Sequence, residues 1–187
     1  MSSTPRLKLT HMAIFVHDLD KMVNFYTRVM GLTVSDRGQS KAAETQLAFM
    51  SSDPGEHHQF VLASGRPDYA TFSIAQQISF LVDSLDEVCL MYRRLLDEGM
   101  RIDRTLTHGN AWSVYFYDPE DNRIEIYCHT PWHVPQPHAH PIDLLAPVEE
   151  IMKITEAHCR EDPGFMPVEE RNRKMAETMA LEPAPAD

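Results

Sequence analysis

A carboxylate inside an apolar run is the first feature of this sequence that points to chemistry. Glu125 lies in Ile124-Glu125-Ile126-Tyr127, a run expected to form a β-strand. A buried carboxylate is costly in free energy unless a cation or several hydrogen-bond donors balance its charge. A metal ion is one such cation, and a set of neutral donors is the alternative.

Histidines and a tyrosine supply groups that can transfer protons. His57 and His58 precede an apolar run, and His108 and Tyr115 lie close together further along the chain. A neutral imidazole accepts or returns a proton near pH 7, and a phenol donates to a developing oxyanion. The alternative for each is a structural role, as an exposed polar side chain or a packed ring.

Two segments of the chain are related by a repeat with an offset of 66 residues. Thr10–Asp20 aligns with Gln76–Asp86, so His11 and Gln77 occupy the same position. Both segments predict a strand that leads into an amphipathic helix followed by a glycine. The sequence therefore contains two copies of one structural unit.

Each copy predicts a βαβββ module, the first at about 7–65 and the second at about 74–128. One such module buries only one face of its sheet, so the two are expected to pair. The predicted helices are Leu19–Met30 and Leu85–Glu98, and the strands after them are Leu32–Ser35, Gln46–Met50, His58–Ala63, Met100–Leu106, Trp112–Tyr117 and Arg123–Cys128.

The composition changes after residue 128. Nine of the 13 prolines lie in 129–187, which predicts an extended strap over the first dozen residues. Helices are predicted at 147–160 and from Pro167 to about Leu181. We expect this tail to pack on the 1–128 domain or on a second subunit, because neither helix is apolar enough to stand alone.

The composition also excludes several classes of partner. The chain has 187 residues, 17 Lys and Arg against 28 Asp and Glu, and a net charge of −11. Nucleic acid and anionic membranes are therefore not expected partners. The absence of a long apolar run or signal-like start, and three cysteines without a close pair, lead us to expect a cytoplasmic protein without disulfides.

Two motifs resemble those of the vicinal oxygen chelate superfamily. They are Phe25-Tyr26-x-x-x-Met30-Gly31-Leu32 and Asp118-Pro119-x-x-Asn122-Arg123-Ile124-Glu125, together with a histidine near the start of the first strand. The superfamily includes glyoxalase I, bleomycin and fosfomycin resistance proteins and type I extradiol dioxygenases. The resemblance covers about residues 7–128. It implies an α+β fold in which two paired modules form a curved-sheet cup, with a divalent metal and a small-molecule substrate.

The resemblance also implies a ligand set. The four metal-facing positions of the family correspond to His11, Val61, Gln77 and Glu125 in this sequence. Imidazole, carboxamide and carboxylate form an N,O,O set that suits Fe(II), with Mn(II), Ni(II) or Zn(II) as alternatives. Extradiol dioxygenases have histidine where this chain has Gln77. Glyoxalases accept glutamine, but they place a fourth ligand where this chain has Val61.

Further site residues follow from the same resemblance. His58 corresponds to the acid–base histidine of extradiol enzymes, and Tyr115 and His108 correspond to residues that position the substrate oxygens. The predicted aromatic contacts to the substrate are Phe49, Phe60 and Trp112.

We therefore expect a homodimeric, metal-dependent extradiol-type dioxygenase that acts on a catechol-like diol with O2. A glyoxalase-like lyase or isomerase and a metal-free protein that sequesters a ligand are the alternatives.

Overall fold

The chain folds into two compact units of mixed helix and strand. The structure, a computed structural model, describes residues 7–41 and 44–179. One unit comprises the chain up to Ile74 together with Asp118–Asn122, and the other comprises Ala75–Tyr117 and the chain from Arg123 onward. The α+β class predicted from the sequence is confirmed. Within the described ranges, no helix has both the length and the apolar character needed to cross a membrane.

The first unit contains one βαβββ module. Its elements are β1 (Met12–Val16), α1 (Leu19–Arg28), β2 (Thr33–Gln39), β3 (Gln46–Ser51) and β4 (Phe60–Ser64). The sheet has the order β1-β4-β3-β2, and β1 runs parallel to β4. Asp18 caps α1 by accepting the backbone N–H of Lys21. Met22 and Tyr26 of α1 are fully buried, so this helix contributes to the core of the unit.

The second unit contains the other module and the tail. Its elements are β5 (Ile78–Leu81), α2 (Leu85–Asp97), β6 (Ile102–Thr107), β7 (Ala111–Tyr117), β8 (Arg123–His129), β9 (Trp132–His133), β10 (His140–Pro141), α3 (Val148–Arg160), β11 (Met166–Pro167) and α4 (Val168–Thr178). The main sheet has the order β10-β6-β7-β8-β5, with β5 parallel to β8. The topology of the first module is thus repeated, with one strand from the tail added at the edge.

The strand registers of the two modules agree with the sequence repeat. Ala13 on β1 lies opposite Val61 on β4, and Ser79 on β5 lies opposite Glu125 on β8. Ala13 and Ser79 are separated by the repeat offset of 66 residues. Val61 and Glu125 therefore occupy equivalent positions in their sheets.

The predicted element ends agree with the structure to within two residues in the first 128 positions, apart from β2. That strand was expected to end at Ser35 but continues to Gln39, which pairs with Gln46 on β3. Its outer half is exposed and polar, so it lacks the apolar alternation that marks a strand. In the tail, the predicted helix end at Leu181 lies outside the described residues.

Buried side chains hold the tail on the second module. Val134 and Leu144 are fully buried, and Ile151 of α3 is 2% exposed. The indole Nε1 of Trp112 donates to the hydroxyl of Thr155 on α3 at 2.8 Å. The strap has no core of its own, and its apolar residues complete the core of the second unit.

The turn Asp118–Asn122 is organised by a buried carboxylate. Asp118 accepts the backbone N–H groups of Glu120 and Asn122, the Asn122 amide and the Tyr26 hydroxyl, at 2.8 to 2.9 Å. Glu120 in turn accepts the N–H groups of His17 and Asp18 at the start of α1. Burial raises the pKa of Asp118. The Asp-Pro-x-x-Asn part of the motif thus has a structural role in the first unit.

Replacing Tyr26 by phenylalanine is expected to lower the free energy of unfolding by about 1–2 kcal/mol, because the buried Asp118 oxygen loses a donor. Urea denaturation measures this change. Tyr69→Phe is the matched control, since Tyr69 is 85% exposed and should change stability by less than about 0.5 kcal/mol. Equal effects of the two substitutions would contradict the assigned role of Tyr26.

Candidate functional site

Glu125 is the centre of a polar network in the second unit. It is only 6% exposed. Its Oε2 accepts hydrogen bonds from Nε2 of Gln77 at 2.7 Å and from Oγ of Ser79 at 2.5 Å. Its Oε1 accepts the hydroxyl proton of Tyr115 at 2.5 Å. Three neutral donors from two segments of chain therefore converge on one carboxylate.

Strand pairing explains why these residues meet. Ser79 on β5 and Tyr115 on β7 both lie directly opposite Glu125 on β8. Gln77 precedes β5 and reaches the same carboxylate because side chains alternate along a strand with period two. Ser79 was not predicted from the sequence as a site residue. Its position two residues after Gln77 on a predicted strand was the signal that could have found it.

A chain of hydrogen bonds extends from Glu125 through Tyr115 to His108. Nε2 of His108 lies 2.9 Å from the Tyr115 hydroxyl, and Nδ1 lies 2.9 Å from the backbone carbonyl oxygen of His138. A carbonyl only accepts, so Nδ1 carries a hydrogen. Tyr115 has one hydroxyl proton, which it can donate either to Glu125 or to Nε2 of His108. If it donates to His108, the contact between Tyr115 and Glu125 needs a proton from the carboxyl group instead. A proton can therefore be passed along this chain between Glu125 and His108.

Among the residues that the structure describes, no basic side chain forms an ion pair with Glu125. The nearby Arg123 pairs with Asp103 at 2.9 Å, and its guanidinium carbon lies 4.3 Å from the centre of the Tyr115 ring. Burial, and then the hydrogen bond and charge of Glu125, raise the pKa of Tyr115. The phenol therefore stays protonated at neutral pH and remains a donor.

This donor set fits a divalent cation. Glu125 offers a buried carboxylate that lacks a cationic partner in the described residues, and Gln77 donates through its nitrogen while Oε1 accepts no hydrogen bond there. Carboxylate and amide oxygens are ligands for divalent ions such as Mn(II) and Fe(II). Over residues 7–41 and 44–179, no three His, Cys, Asp or Glu side chains cluster as a metal site.

Within the first unit, His11, Phe49 and His58 form a group of aromatic rings. His11 and His58 have ring centres 4.6 Å apart, and Phe49 lies 5.2 Å from His58. The Nδ1 atoms of His57 and His58 are 2.9 Å apart. Partial burial and the neighbouring His11 and His57 lower the pKa of His58, which is therefore neutral near pH 7. A neutral imidazole of this kind can accept a proton.

Phe60 and Trp112 have the contacts of core residues. Phe60 is 2% exposed and its ring lies 4.8 Å from that of Tyr26 on α1. Trp112 is 3% exposed and contacts α3 through Thr155. Side chains alternate between the two faces of a strand. Phe60 on β4 and Trp112 on β7 therefore lie on the faces opposite to those of Val61 and Tyr115. A substrate role for either ring stays a prediction.

Comparison with known proteins agrees with the topology. Residues 8–126 match the family model described as Glyoxalase/Bleomycin resistance protein/Dioxygenase superfamily. Biphenyl-2,3-diol 1,2-dioxygenase 3 of Rhodococcus globerulus is 28% identical over 67% of this chain and 64% of its own length. Lactoylglutathione lyase of Schizosaccharomyces pombe is 28% identical over 64% of this chain and 46% of its own length. The chain thus spans less than two thirds of either relative.

A solved structure shares the fold. The fosfomycin resistance protein FosX of Listeria monocytogenes, as a variant in complex with Mn(II) and 1S,2S-dihydroxypropylphosphonic acid, has a TM-score of 0.53. It is 19% identical, with 66% of this chain and 93% of that chain covered. Since the family model covers more than half of the sequence, the protein belongs to the glyoxalase/bleomycin resistance protein/dioxygenase superfamily.

Proposed function

We propose that the protein is a metal-dependent, extradiol-type dioxygenase that opens the ring of a catechol-like diol with O2. His11, Gln77 and Glu125 are the proposed ligands, and Fe(II) is the proposed metal. The observation that carries the proposal is the buried Glu125 carboxylate, which has neutral donors but no basic partner in the described residues. The similarity to a biphenyl-2,3-diol dioxygenase supports the reaction class.

The proposed roles of the protein groups follow from their chemistry. A divalent metal bound there would supply a Lewis acid that lowers the pKa of a chelating diol and a coordination position for O2. Tyr115 donates a hydrogen bond to a substrate oxygen and passes a proton to or from His108. His58, which is neutral near pH 7, accepts the first diol proton. Phe49 contacts the ring of the substrate.

Anaerobic purification with Fe(II), followed by metal analysis and an oxygen electrode, tests the proposal. We expect about one iron per chain and consumption of one O2 per catechol or biphenyl-2,3-diol cleaved. Light scattering on the same sample tests the proposed homodimer. Bound metal without O2 consumption would overturn the dioxygenase assignment, and a protein that binds these diols but no metal would indicate sequestration instead.

A lyase or isomerase is the second candidate, and Gln77 is the observation that favours it. An amide ligand departs from the two-histidine set of extradiol enzymes, and a lactoylglutathione lyase is among the relatives. The same chelation of two substrate oxygens then assists proton transfer and needs no O2. Turnover of a glutathione hemithioacetal under anaerobic conditions would favour this candidate.

Replacing Gln77 by histidine is expected to strengthen Fe(II) binding about tenfold, because imidazole is a better ligand for this ion than a carboxamide. Competition with a chelator under anaerobic conditions measures the dissociation constant. Gln76→His is the matched control, since it adds an imidazole at the exposed neighbouring position. An unchanged Fe(II) affinity of the Gln77 variant would remove this residue from the ligand set.

Replacing Tyr115 by phenylalanine is expected to lower kcat about a hundredfold while metal content stays the same, because His108 loses its hydrogen-bonded link to Glu125. Steady-state kinetics and metal analysis on one sample measure both quantities. Tyr117→Phe on the same strand is the control. A Tyr115 variant with unchanged kcat would contradict the proton-transfer role.

A further inference from the structure

A cavity of about 400 Å³ lies between the strap and α4 in the second unit. Trp132 and His133 of β9 line one side, and Arg171 and Asn172 of α4 line another. β9 pairs with β11, which leads directly into α4. The backbone N–H of Val168 donates to the carbonyl oxygen of Pro131 in the strap at 3.0 Å. These bonds fix the first turn of α4 beside the strap.

The lining of the cavity carries a positive charge, although the tail as a whole has more acidic than basic residues. Arg171 contributes a guanidinium, and no Asp or Glu is among the lining residues. Arg171 donates only to the neighbouring Asn172, at 3.2 Å, and has no acidic partner in the described part of the chain. By contrast, Arg160 and Lys174 pair with glutamates one helical turn away, at 2.6 and 2.8 Å. Arg171 is thus available to an anion.

Further donors surround the same space. Asn110, Trp132 and His133 also line the cavity, and the structure gives none of their side chains a hydrogen bond within the described ranges. Burial, and then the charge of Arg171, lower the pKa of His133, in keeping with their proximity. A guanidinium with nearby amide and indole donors suits a carboxylate, and an indole face suits a flat apolar group.

We propose that this cavity binds a small organic acid, with its carboxylate at Arg171 and its apolar body against Trp132. The cavity is distinct from the network at Glu125. His129, another lining residue, lies four residues beyond Glu125 on β8, which is roughly 13 Å along the strand. The proposed ligand is therefore a second small molecule, whose site lies away from the Glu125 carboxylate.

Titration of the metal-free protein with benzoate, followed by calorimetry, tests this proposal. We expect a dissociation constant below about 1 mM, and an Arg171→Gln variant should bind at least about tenfold more weakly. Arg173→Gln is the matched control, because Arg173 is exposed on the same helix and is not a lining residue. Glu125→Gln should leave benzoate binding unchanged.

A measurement on the unmutated chain tests the proposal even if a variant misfolds. The chain has two tryptophans, and the Trp112 indole is buried against Thr155 while Trp132 lines the cavity. Benzoate should therefore shift the indole N–H signal of Trp132 in a ¹⁵N spectrum more than that of Trp112, whose ring centre lies 6.0 Å from that of Trp132. No shift up to about 10 mM benzoate, equal binding of neutral benzamide, or unaltered binding by the Arg171 variant would overturn the proposal.

Discussion

Replacing Glu125 by glutamine is expected to weaken divalent metal binding by at least about a hundredfold and to lower turnover by a similar factor. The substitution keeps the size of the side chain and removes its charge. In the proposed site, Glu125 is the anionic ligand, and imidazole and carboxamide alone balance none of the charge of the cation. Metal content after anaerobic dialysis and kcat/KM are the two measurements.

The reason for so large an effect lies in the surroundings of Glu125. The carboxylate is 6% exposed, so water does not replace the lost ligand readily. The donors from Ser79 and Tyr115 also hold it in one orientation. A glutamine would present an NH₂ group to at least one of these donors, or turn away from the metal. The geometry and charge of the site are therefore lost together.

Glu149→Gln is the matched control for this prediction. Glu149 is an exposed carboxylate in the first turn of α3, and its substitution removes one negative charge from the same unit. Metal affinity and turnover should stay within about twofold of the unmodified protein. If the Glu125 variant retained metal, the ligand assignment would be wrong. If it lost metal but kept full activity, the dioxygenase and the lyase proposals would both fail.

The sequence predicted elements whose apolar pattern is strong, and it missed features that depend on pairing between distant segments. The helices at Leu19 and Leu85 have a cap, an apolar face and a terminal glycine, and they form where expected. The outer half of β2 has no apolar pattern and exists because β3 pairs with it. A local pattern cannot report a strand that is held only by backbone hydrogen bonds.

In the candidate site, too, residue types predicted some features, and others depend on contacts between distant segments. Glu125 stands out because a carboxylate in an apolar strand needs a partner, and the repeat singles out Gln77 through its equivalence to His11. The orientation of His108 was not predictable, because its Nδ1 partner is a backbone carbonyl of the strap 30 residues away. A main-chain acceptor has no signature in residue types. Only the folded path of the tail past Gly109 brings it there.

Replacing Gly109 by alanine is expected to destabilise the protein by about 2–5 kcal/mol and to lower turnover as well. Gly109 is buried with a φ of +74°, a conformation that costs alanine free energy. An added Cβ would also overlap with Cγ2 of Val134 in the strap and lie 3.2 Å from both Sγ of Cys159 and a ring carbon of His138. Urea denaturation and steady-state kinetics measure the two effects.

Gly99→Ala separates the backbone cost of a positive φ from the cost of the overlap with the strap. Gly99 also has a positive φ, +66°, but a Cβ there meets no atom within 4 Å, so only the backbone cost of about 1–2 kcal/mol is expected. The excess loss in the Gly109 variant then measures the contact between the strap and the second module. Turnover should fall only in the Gly109 variant, because moving the strap displaces the His138 carbonyl from His108. Equal losses of stability in both variants, with turnover unchanged, would show that the strap neither packs tightly at Gly109 nor orients His108.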